Sequence, residues 1–491
     1  MSSVFSTITA SVVQIAASGS LGQMLDNLKT REIDVFSSAY FTTRAFAFGM
    51  ERDSNSETIN VSRETSLRNK FEITRSFDLV TQLYVVIDLP GICNVKDDAY
   101  IMPAAGNEAE MCYYTNSCAS ALVKTVNICM GGHSLAELTS SMMFIFEELG
   151  GKPSKRLTTM VGKASGAGDQ RLELAVRSAH AQRLYLPMYF WFNSTRGSVA
   201  NSLNLIGAAF QRCTLDMVLR PLNQIIEQGG AGCRSTVAGA EVRVVEPISD
   251  NVTGAVRSGG NVALLDGQAV TNSQALTGQT MAARITVDTI GITLNDEDRS
   301  AFSVKDRMTL MTECHTMDLS GSQARTGSFN EDLTKFGKNL AYEIILAARV
   351  QDRGDAGLEG ATGSCGLNRF EGFFDRTLGV THEALGTLSL SISGQKRTMD
   401  QLESQFYNQV TPYQHHSCLP SCSSIYSLPF SMFPEDWTIP DSTANLSKLD
   451  SMKLYVEPAA ALKDKKIEYF IHILAYNILV ENKGLKARYF V

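Results

Sequence analysis

The residue types best suited to chemistry cluster late in the chain. His415-His416-Ser417-Cys418 is followed by Cys422. Imidazole nitrogen and thiolate sulfur are the ligand types that zinc prefers. Adjacent side chains on a strand, however, point to opposite faces, so His415 and His416 would not reach one ion. The spacing also matches no zinc-finger pattern. The expectation is a rim segment whose histidines pack or hydrogen-bond. Gly162-Lys163 has the ending of a phosphate loop, but that pattern needs glycine five positions earlier, where Leu157 stands. Glu147-Glu148 and Asp296-Glu297-Asp298 could bind a cation or move protons. A solvated helix start accounts for both acidic runs more simply. No Gly-x-Ser-x-Gly nucleophile elbow is present. Tyr189-Phe190-Trp191-Phe192 could stack bases but has no flanking basic patch, so core packing is expected. No catalytic, cofactor-binding or metal-ligating residue is assigned.

The elements that must position these residues read mainly as strands. Leu83, Val85, Ile87 and Leu89 alternate, and Pro90-Gly91 ends the run. Leu388, Leu390 and Ile392 alternate with serines before Gly394. Met452, Leu454 and Val456 repeat the pattern, as do Ile467, Tyr469, Ile471 and Ile473. Ile285 and Val287 share one phase, while Ile290, Ile292 and Leu294 share the other, which predicts a bulge or break between them. Helical signals are fewer. One covers Met142 to Leu149 and stops at Gly150-Gly151; another covers Asp296 to Met311, with Asp296 as its cap. Many short strands with few helices predict an all-β sandwich or barrel.

The chain has 491 residues, enough for two to four domains or for two large β-domains. Apolar residues make up 44% and charged residues 19%, an ordinary globular balance. With 44 basic and 51 acidic residues the net charge is −7, which argues against coating nucleic acid. No apolar run approaches the roughly 18 residues of a membrane span. No basic leader precedes the apolar stretches near the start, so no secretory signal is expected. The ten cysteines include no Cys-x-x-Cys pair and suggest mostly free thiols in a reducing compartment. The Asn-x-Ser/Thr triplets at Asn60, Asn193, Asn251 and Asn445 then read as chance matches. Residues 1–28 are small and polar and read as an arm that packs on meeting a partner. The Gly-rich run from Gln228 to Gly232 follows Pro221 and reads as a linker. Residues 247–280 are Gly-, Ser- and Asn-rich and weakly patterned, and read as a long surface loop.

Taken in order, Arg75 to Leu79, Val85 to Pro90, Ala121 to Gly132, Leu184 to Phe192, Leu294 to Phe302, Val410 to Glu435, Ser442 to Asp450 and Ala475 to Leu485 resemble segments of the major capsid proteins of the nucleocytoplasmic large DNA viruses, such as iridoviruses, chloroviruses and marseilleviruses. Val410-Thr411-Pro412-Tyr413-Gln414-His415-His416 is similar to the family's Gln-Pro-Tyr-Gln-His-His segment. Ile425-Tyr426-Ser427-Leu428-Pro429-Phe430, leading to Pro434-Glu435, resembles its Ile-Tyr-x-Tyr-Ser-Phe-x-Leu-x-Pro-Glu segment, with Leu428-Pro429 standing where the family has Tyr-Ser. The run from Ser442 to Asp450 resembles Ser-Gly-x-x-Asn-x-Ser-Arg-x-Asp. Earlier, Arg75-Ser76-Phe77-Asp78-Leu79 and Val85 to Pro90 resemble a first-domain strand pair, and Ala121 to Gly132 the next hairpin. Leu184 to Phe192 resembles a Leu-Pro-x-x-Phe-Trp-Phe strand, and Leu294 to Phe302 the start of a second-domain helix. Ala475 to Leu479 and Gly484-Leu485 resemble the C-terminal strand. The resemblance runs from about residue 12 to the end. Cys418 and Cys422 are not family features; His415-His416 is, at a place where no metal is expected. Residues 247–280 and 352–376 match no family pattern and read as type-specific surface loops.

The resemblance implies two tandem eight-stranded jelly rolls: an arm at 1–28, a first roll at 29–222, a linker at 223–235 and a second roll at 236–491. It implies a structural protein without catalysis or cofactor. Three copies would close into a pseudo-hexagonal capsomer that tiles an icosahedral shell. Implied partners are the chain itself, neighbouring capsomers, minor capsid and penton proteins, and the inner viral membrane through the N-terminal arm, with no direct nucleic-acid contact. The implied location is the virion capsid, assembled in a cytoplasmic viral factory. Three other readings are a minor double-jelly-roll capsid protein, a glycan-binding or attachment module using the surface loops, and a cupin-type enzyme with His415 or His416 on a metal. The last would bind stoichiometric metal and lose it on histidine substitution.

Overall fold

The computed structural model describes residues 46–52, 57–61, 65–96, 99–100, 112–150, 158–165, 170–193, 201–228, 242–247, 255–258, 261–264, 274–275, 281–304, 307–334, 339–350, 358–360, 373–375, 380–396, 402–421, 424–436, 442–446, 449–482 and 484–489. The residue 1–28 arm lies outside them. The N-terminal half is built on β1 (Phe46–Arg52), β2 (Leu67–Glu72), β3 (Leu79–Leu89), β4 (Val123–Met130), β5 (His133–Thr139), β6 (Gln182–Pro187), β7 (Cys213–Leu219) and β8 (Met281–Leu294). The second half is built on β9 (Arg307–Leu319), β10 (Phe329–Asp332), β11 (Leu340–Val350), β12 (Leu385–Ile392), β13 (Gln395–Lys396), β14 (Ile425–Pro429), β15 (Met452–Pro458) and β16 (Lys466–Asn482). The first half forms two sheets, ordered β1-β8-β3-β6 and β2-β7-β4-β5; the second repeats this as β9-β16-β11-β14 and β10-β15-β12-β13. Within each half, strand eight returns to lie between strands one and three. The ladders joining these strands are antiparallel. Two facing sheets in this order make a jelly roll, and the chain holds two of them.

This topology corrects the expected linker. β8 lies beyond residues 223–235, yet it hydrogen-bonds along β3, from Arg284 opposite Asp88 to Ile292 opposite Leu79. Ala283, Ile285 and Val287 of β8 are buried in the first roll's core. Residues 223–235 therefore open an excursion between β7 and β8 and do not join the halves. Within that excursion, Ile226–Gln228 pairs with Cys112–Tyr114, and Val242–Pro247 pairs with Gly91–Lys96. The expected loop at 247–280 contains the paired strands Ala255–Ser258 and Asn261–Leu264. The expected loop at 352–376 contains Leu358–Gly360 paired with Phe373–Asp375.

The link between rolls is the helix α2 (Asp296–Val304), shorter than the expected 296–311 because β9 begins at Arg307. Its cap is Asn295 rather than Asp296: the Asn295 Oδ1 accepts the Asp298 N–H at 2.9 Å. Asp78 secures the same corner, its carboxylate accepting the Leu294 N–H at 2.7 Å and pairing with Arg299 at 3.0 Å.

Alternation placed β15 well: burial follows Met452, Leu454 and Val456, with Lys453 and Tyr455 outward. In β16 the same period is present but both faces are buried. Tyr469, Ile471 and Ile473 fill the second roll's core. Phe470, Leu474 and Tyr476 instead meet Met142, Phe144, Ile145 and Leu149 of the helix α1 (Ser140–Leu149), which belongs to the first roll. The phase change in β8 appears as a register shift at Ile290/Gly291. There Gly49 and Gly291 are cross-strand partners, and both lie over the Phe77 side chain; an added Cβ would come within 2.9 Å and 2.5 Å of it. Leu428 and Pro429, which depart from the family pattern, still pair with Ile344 and Glu343.

Candidate functional site

The histidine pair sits at the end of a helix, not on a strand as expected. A π-helical turn over Phe406–Val410 leads into α3 (Thr411–His415), and His416 is its C-terminal cap residue. His415 turns its Nδ1 toward the Met432 carbonyl at 3.1 Å. His416 is buried between two carboxylates: its Nε2 lies 2.7 Å from Glu343 on β11, and its Nδ1 lies 3.3 Å from Glu435. Ser427 of β14 also donates to Glu343, at 2.7 Å. The Ser417 N–H donates to Glu435 at 2.8 Å. Burial by itself would lower the His416 pKa, but Glu343 and Glu435 outweigh it and hold the ring protonated, at about 10. Burial would likewise raise Glu435, but bonds from His416 and Ser417 hold it below the usual carboxylate range. The His-His and Pro-Glu segments thus meet as one charged bracket that ties α3 to the sheet. A protonated ring has no lone pair to give a metal. Cys418 is partly buried, and Cys422 lies outside the described residues. Among the described residues no group of three or more His, Cys, Asp or Glu side chains forms a metal site.

The other expected residues lie at the seam between the rolls. Lys163 pairs with Glu148 and lies 5.3 Å from the Phe144 ring centroid, so its charge is already engaged. Glu147 and Glu148 do not form a solvated helix start: they sit buried in the last turn of α1. The N–H and hydroxyl of Ser421, from the second roll, both donate to Glu148, at 2.7 and 2.6 Å. The Cys418 N–H donates to the Leu149 carbonyl at 3.1 Å, so α1 is held across the seam at its C-terminal end. Burial pushes the Glu147 carboxyl up to about 7, against the Ser117 hydroxyl and the Lys163 charge. Asp296 and Glu297 are exposed at the start of α2, as a solvated start requires, but Asp298 of the same run is buried.

A second set of seam contacts carried no sequence signal. The C-terminal strand β17 (Leu485–Arg488) pairs with β16 and meets the first roll near residues 204–211. Lys486 is buried and donates to Glu481 at 2.6 Å, while Asn204 of the first roll donates to the other Glu481 oxygen at 2.9 Å. The Gln211 side chain bonds the Lys486 backbone twice, accepting its N–H at 2.7 Å and donating to its carbonyl at 3.3 Å. Arg75, inside a family-like segment, donates to the carbonyls of Ala208 and Gln211 at 2.6 and 2.5 Å and holds this turn. Asn204 and Gln211 lie more than 270 residues from Glu481 and Lys486, and neither periodicity nor a motif could have paired them.

Trp191 is fully buried in the first core and packs edge-on to Phe190 and Phe192, in a turn just beyond β6 rather than in the strand itself. It has no face left for a base. Burial pushes the Cys213 and Cys314 thiols up to about 12, which makes them poor nucleophiles. Cys118, Cys129 and Cys213 are buried. Among the described residues no helix is long and apolar enough to cross a membrane. What these sites can do chemically is hold one surface to another.

Residues 298–487 match the family profile described as large eukaryotic DNA virus major capsid protein, and residues 35–247 match the profile described as major capsid protein N-terminus. Together they span most of the chain. Among solved structures, PBCV-1 VP54 is similar at 16% identity, with 93% of this chain and 100% of that chain covered and a TM-score of 0.62. The Faustovirus major capsid protein is similar at 13% identity, with 97% of each chain covered and a TM-score of 0.61. At such identities the likeness is one of fold. No curated protein matches the sequence at a significant level.

Proposed function

The chain belongs to the family of large eukaryotic DNA virus major capsid proteins, and on that premise we propose that three copies close into the capsomer that tiles an icosahedral shell. As a capsid protein it self-assembles and resides in the virion capsid. The observation that carries the finer reading is internal repetition. Two rolls of one strand order, locked side by side through α1, make each chain two similar wedges. Six such wedges from three chains would give the capsomer a near-hexagonal outline, and a head-to-tail contact that closes is the economical way to build it. The buried charges serve this role as fixed brackets and take no part in turnover; a protein of this kind needs neither catalysis nor a cofactor.

We assign the N-terminal arm, residues 1–28, to the inner side of the shell, toward minor capsid proteins or the inner viral membrane. The excursions between β7 and β8 and between β11 and β12 would rise outward. Penton proteins would meet the shell at its vertices, and assembly would take place in a cytoplasmic viral factory. Light scattering on the purified full chain tests the central claim. Three chains of 53.6 kDa would give about 161 kDa. A chain lacking residues 1–28 should give the same oligomer. A concentration-independent monomer would overturn the capsomer reading, and loss of the oligomer on removing the arm would reassign the arm to the interface.

A further inference from the structure

The two rolls are not equally covered. In the first roll the connection between β5 and β6 carries α1. Its Phe144, Ile145 and Leu149 lie against Ile345 and Phe470, on the outward face of the second roll's β9-β16-β11-β14 sheet. In the second roll the equivalent connection, between β13 and β14, carries α3 and the π-helical turn before it. On the inward side of this segment Tyr407 packs in the second core and Pro412 is buried, and polar side chains beside them bond the backbone. Asn408 donates to the Ile425 carbonyl at 2.8 Å, and the Thr411 hydroxyl lies 2.8 Å from the Tyr407 carbonyl and 3.0 Å from that of Ser427. The outward side is apolar: Phe406, Val410 and Tyr413 are 37%, 39% and 78% exposed. A helix whose inward side is already packed and which still exposes an apolar stripe is suited to meet another surface.

The surface that α1 uses has one counterpart elsewhere in the fold, the outward face of the first roll's β1-β8-β3-β6 sheet. Leu83, Val85 and Ile87 of β3 point into the first core, so Tyr84, which is half-buried, and Val86, which is only 2% exposed, lie on the outward face. Beside them Met50 of β1 is 57% exposed and stands opposite Ile290 of β8. The face also carries charges, anchored on its central strands β8 and β3 and mutually satisfied: Arg52 grips Asp288 through two bonds of 2.8 Å, and Arg183 grips Asp88 at 2.6 and 2.9 Å. Such a face can be covered by an apolar stripe without stranding a charge. Within one chain, α1 already joins first roll to second.

We propose that the Phe406–Val410–Tyr413 stripe docks on the outward face of the β1-β8-β3-β6 sheet of a second copy of this chain. It repeats between chains the contact that α1 makes within one. This rests on the self-assembly reading above and names the surfaces that carry it. Because the two faces differ, the contact is heterologous, and one chain offers a free stripe at one end and a free sheet face at the other.

The test uses the full chain. Tyr413→Lys, at an exposed position, should leave circular dichroism and dilute-solution thermal unfolding unchanged. It should weaken self-association roughly tenfold or more, the scale of an interface anchor. Met50→Lys, on the opposite face, should do the same. Benzoylphenylalanine placed at position 413 and photolysed in mixed isotope-labelled chains should crosslink to residues 46–52, 79–89 or 182–187 of another chain. Wild-type chains that never associate would overturn the assembly reading and this inference together. Wild-type chains that associate while both variants associate equally well would overturn this inference alone. So would crosslinks confined to the same chain or directed to residues 1–45.

Discussion

Between the carboxylates of Glu343 and Glu435, burial opposes the charge on His416, and the carboxylates prevail. At His472 burial has no such opponent. Its Nδ1 lies 2.9 Å from the Thr316 hydroxyl, and burial drives its pKa down to about 3, so this ring is neutral in the fold. The two histidines give opposite pH limbs. The raised pKa of His416 contributes stability that is complete below its unfolded value of 6.5 and declines as pH rises toward about 10. The depressed pKa of His472 contributes stability that is complete above 6.5 and declines as pH falls toward about 3. Thermal unfolding across pH should therefore fall off on both sides, with His416→Gln flattening the alkaline limb and His472→Gln the acid limb. His416→Ala should cost about 3–5 kcal/mol near neutrality, because it leaves Glu343 buried without its partner. A cost below about 1 kcal/mol would mean that the bracket is not charged.

At the scale of elements, the crossing of β1 and β8 over Phe77 is the tightest joint in the first roll. Gly49→Ala should cost about 1–3 kcal/mol by overpacking the Phe77 ring edge. Phe77→Leu, which withdraws that edge, should make the second substitution less costly, a coupling that urea denaturation of the single and double variants measures. Strict additivity would rule the contact out. These elements also mark what sequence can express. Period two found β3, β12, β15 and β16 because one face of each meets a core. It could not reveal that the second face of β16 is buried too, since Phe470, Leu474 and Tyr476 acquire their cover from α1, more than three hundred residues away. The bulge in β8 was legible as a phase change. The role of residues 223–235 was not, because glycines mark an irregular segment without saying which strand follows it. The histidine pair was legible as a family feature, but its partner Glu343 lies on another strand and only the fold joins them.

At the scale of the whole molecule, α1 couples two bodies that each have a core. Phe144→Ala should cost about 3–5 kcal/mol and, by loosening the seam, separate one calorimetric transition into two. A single sharp transition of unchanged width would show that the C-terminal clasp at Lys486 suffices. The order of strands has a further consequence, for the chain as it is made. The first roll lacks its central strand until Leu294 has left the ribosome, because β8 lies between β1 and β3. Until then β1 has no partner in its own sheet, and β3 shows an open edge to every neighbouring nascent chain. Synthesis halted after β7 would thus release a half-sandwich primed to aggregate. The second roll repeats the delay, since its own central strand β16 ends only at Asn482.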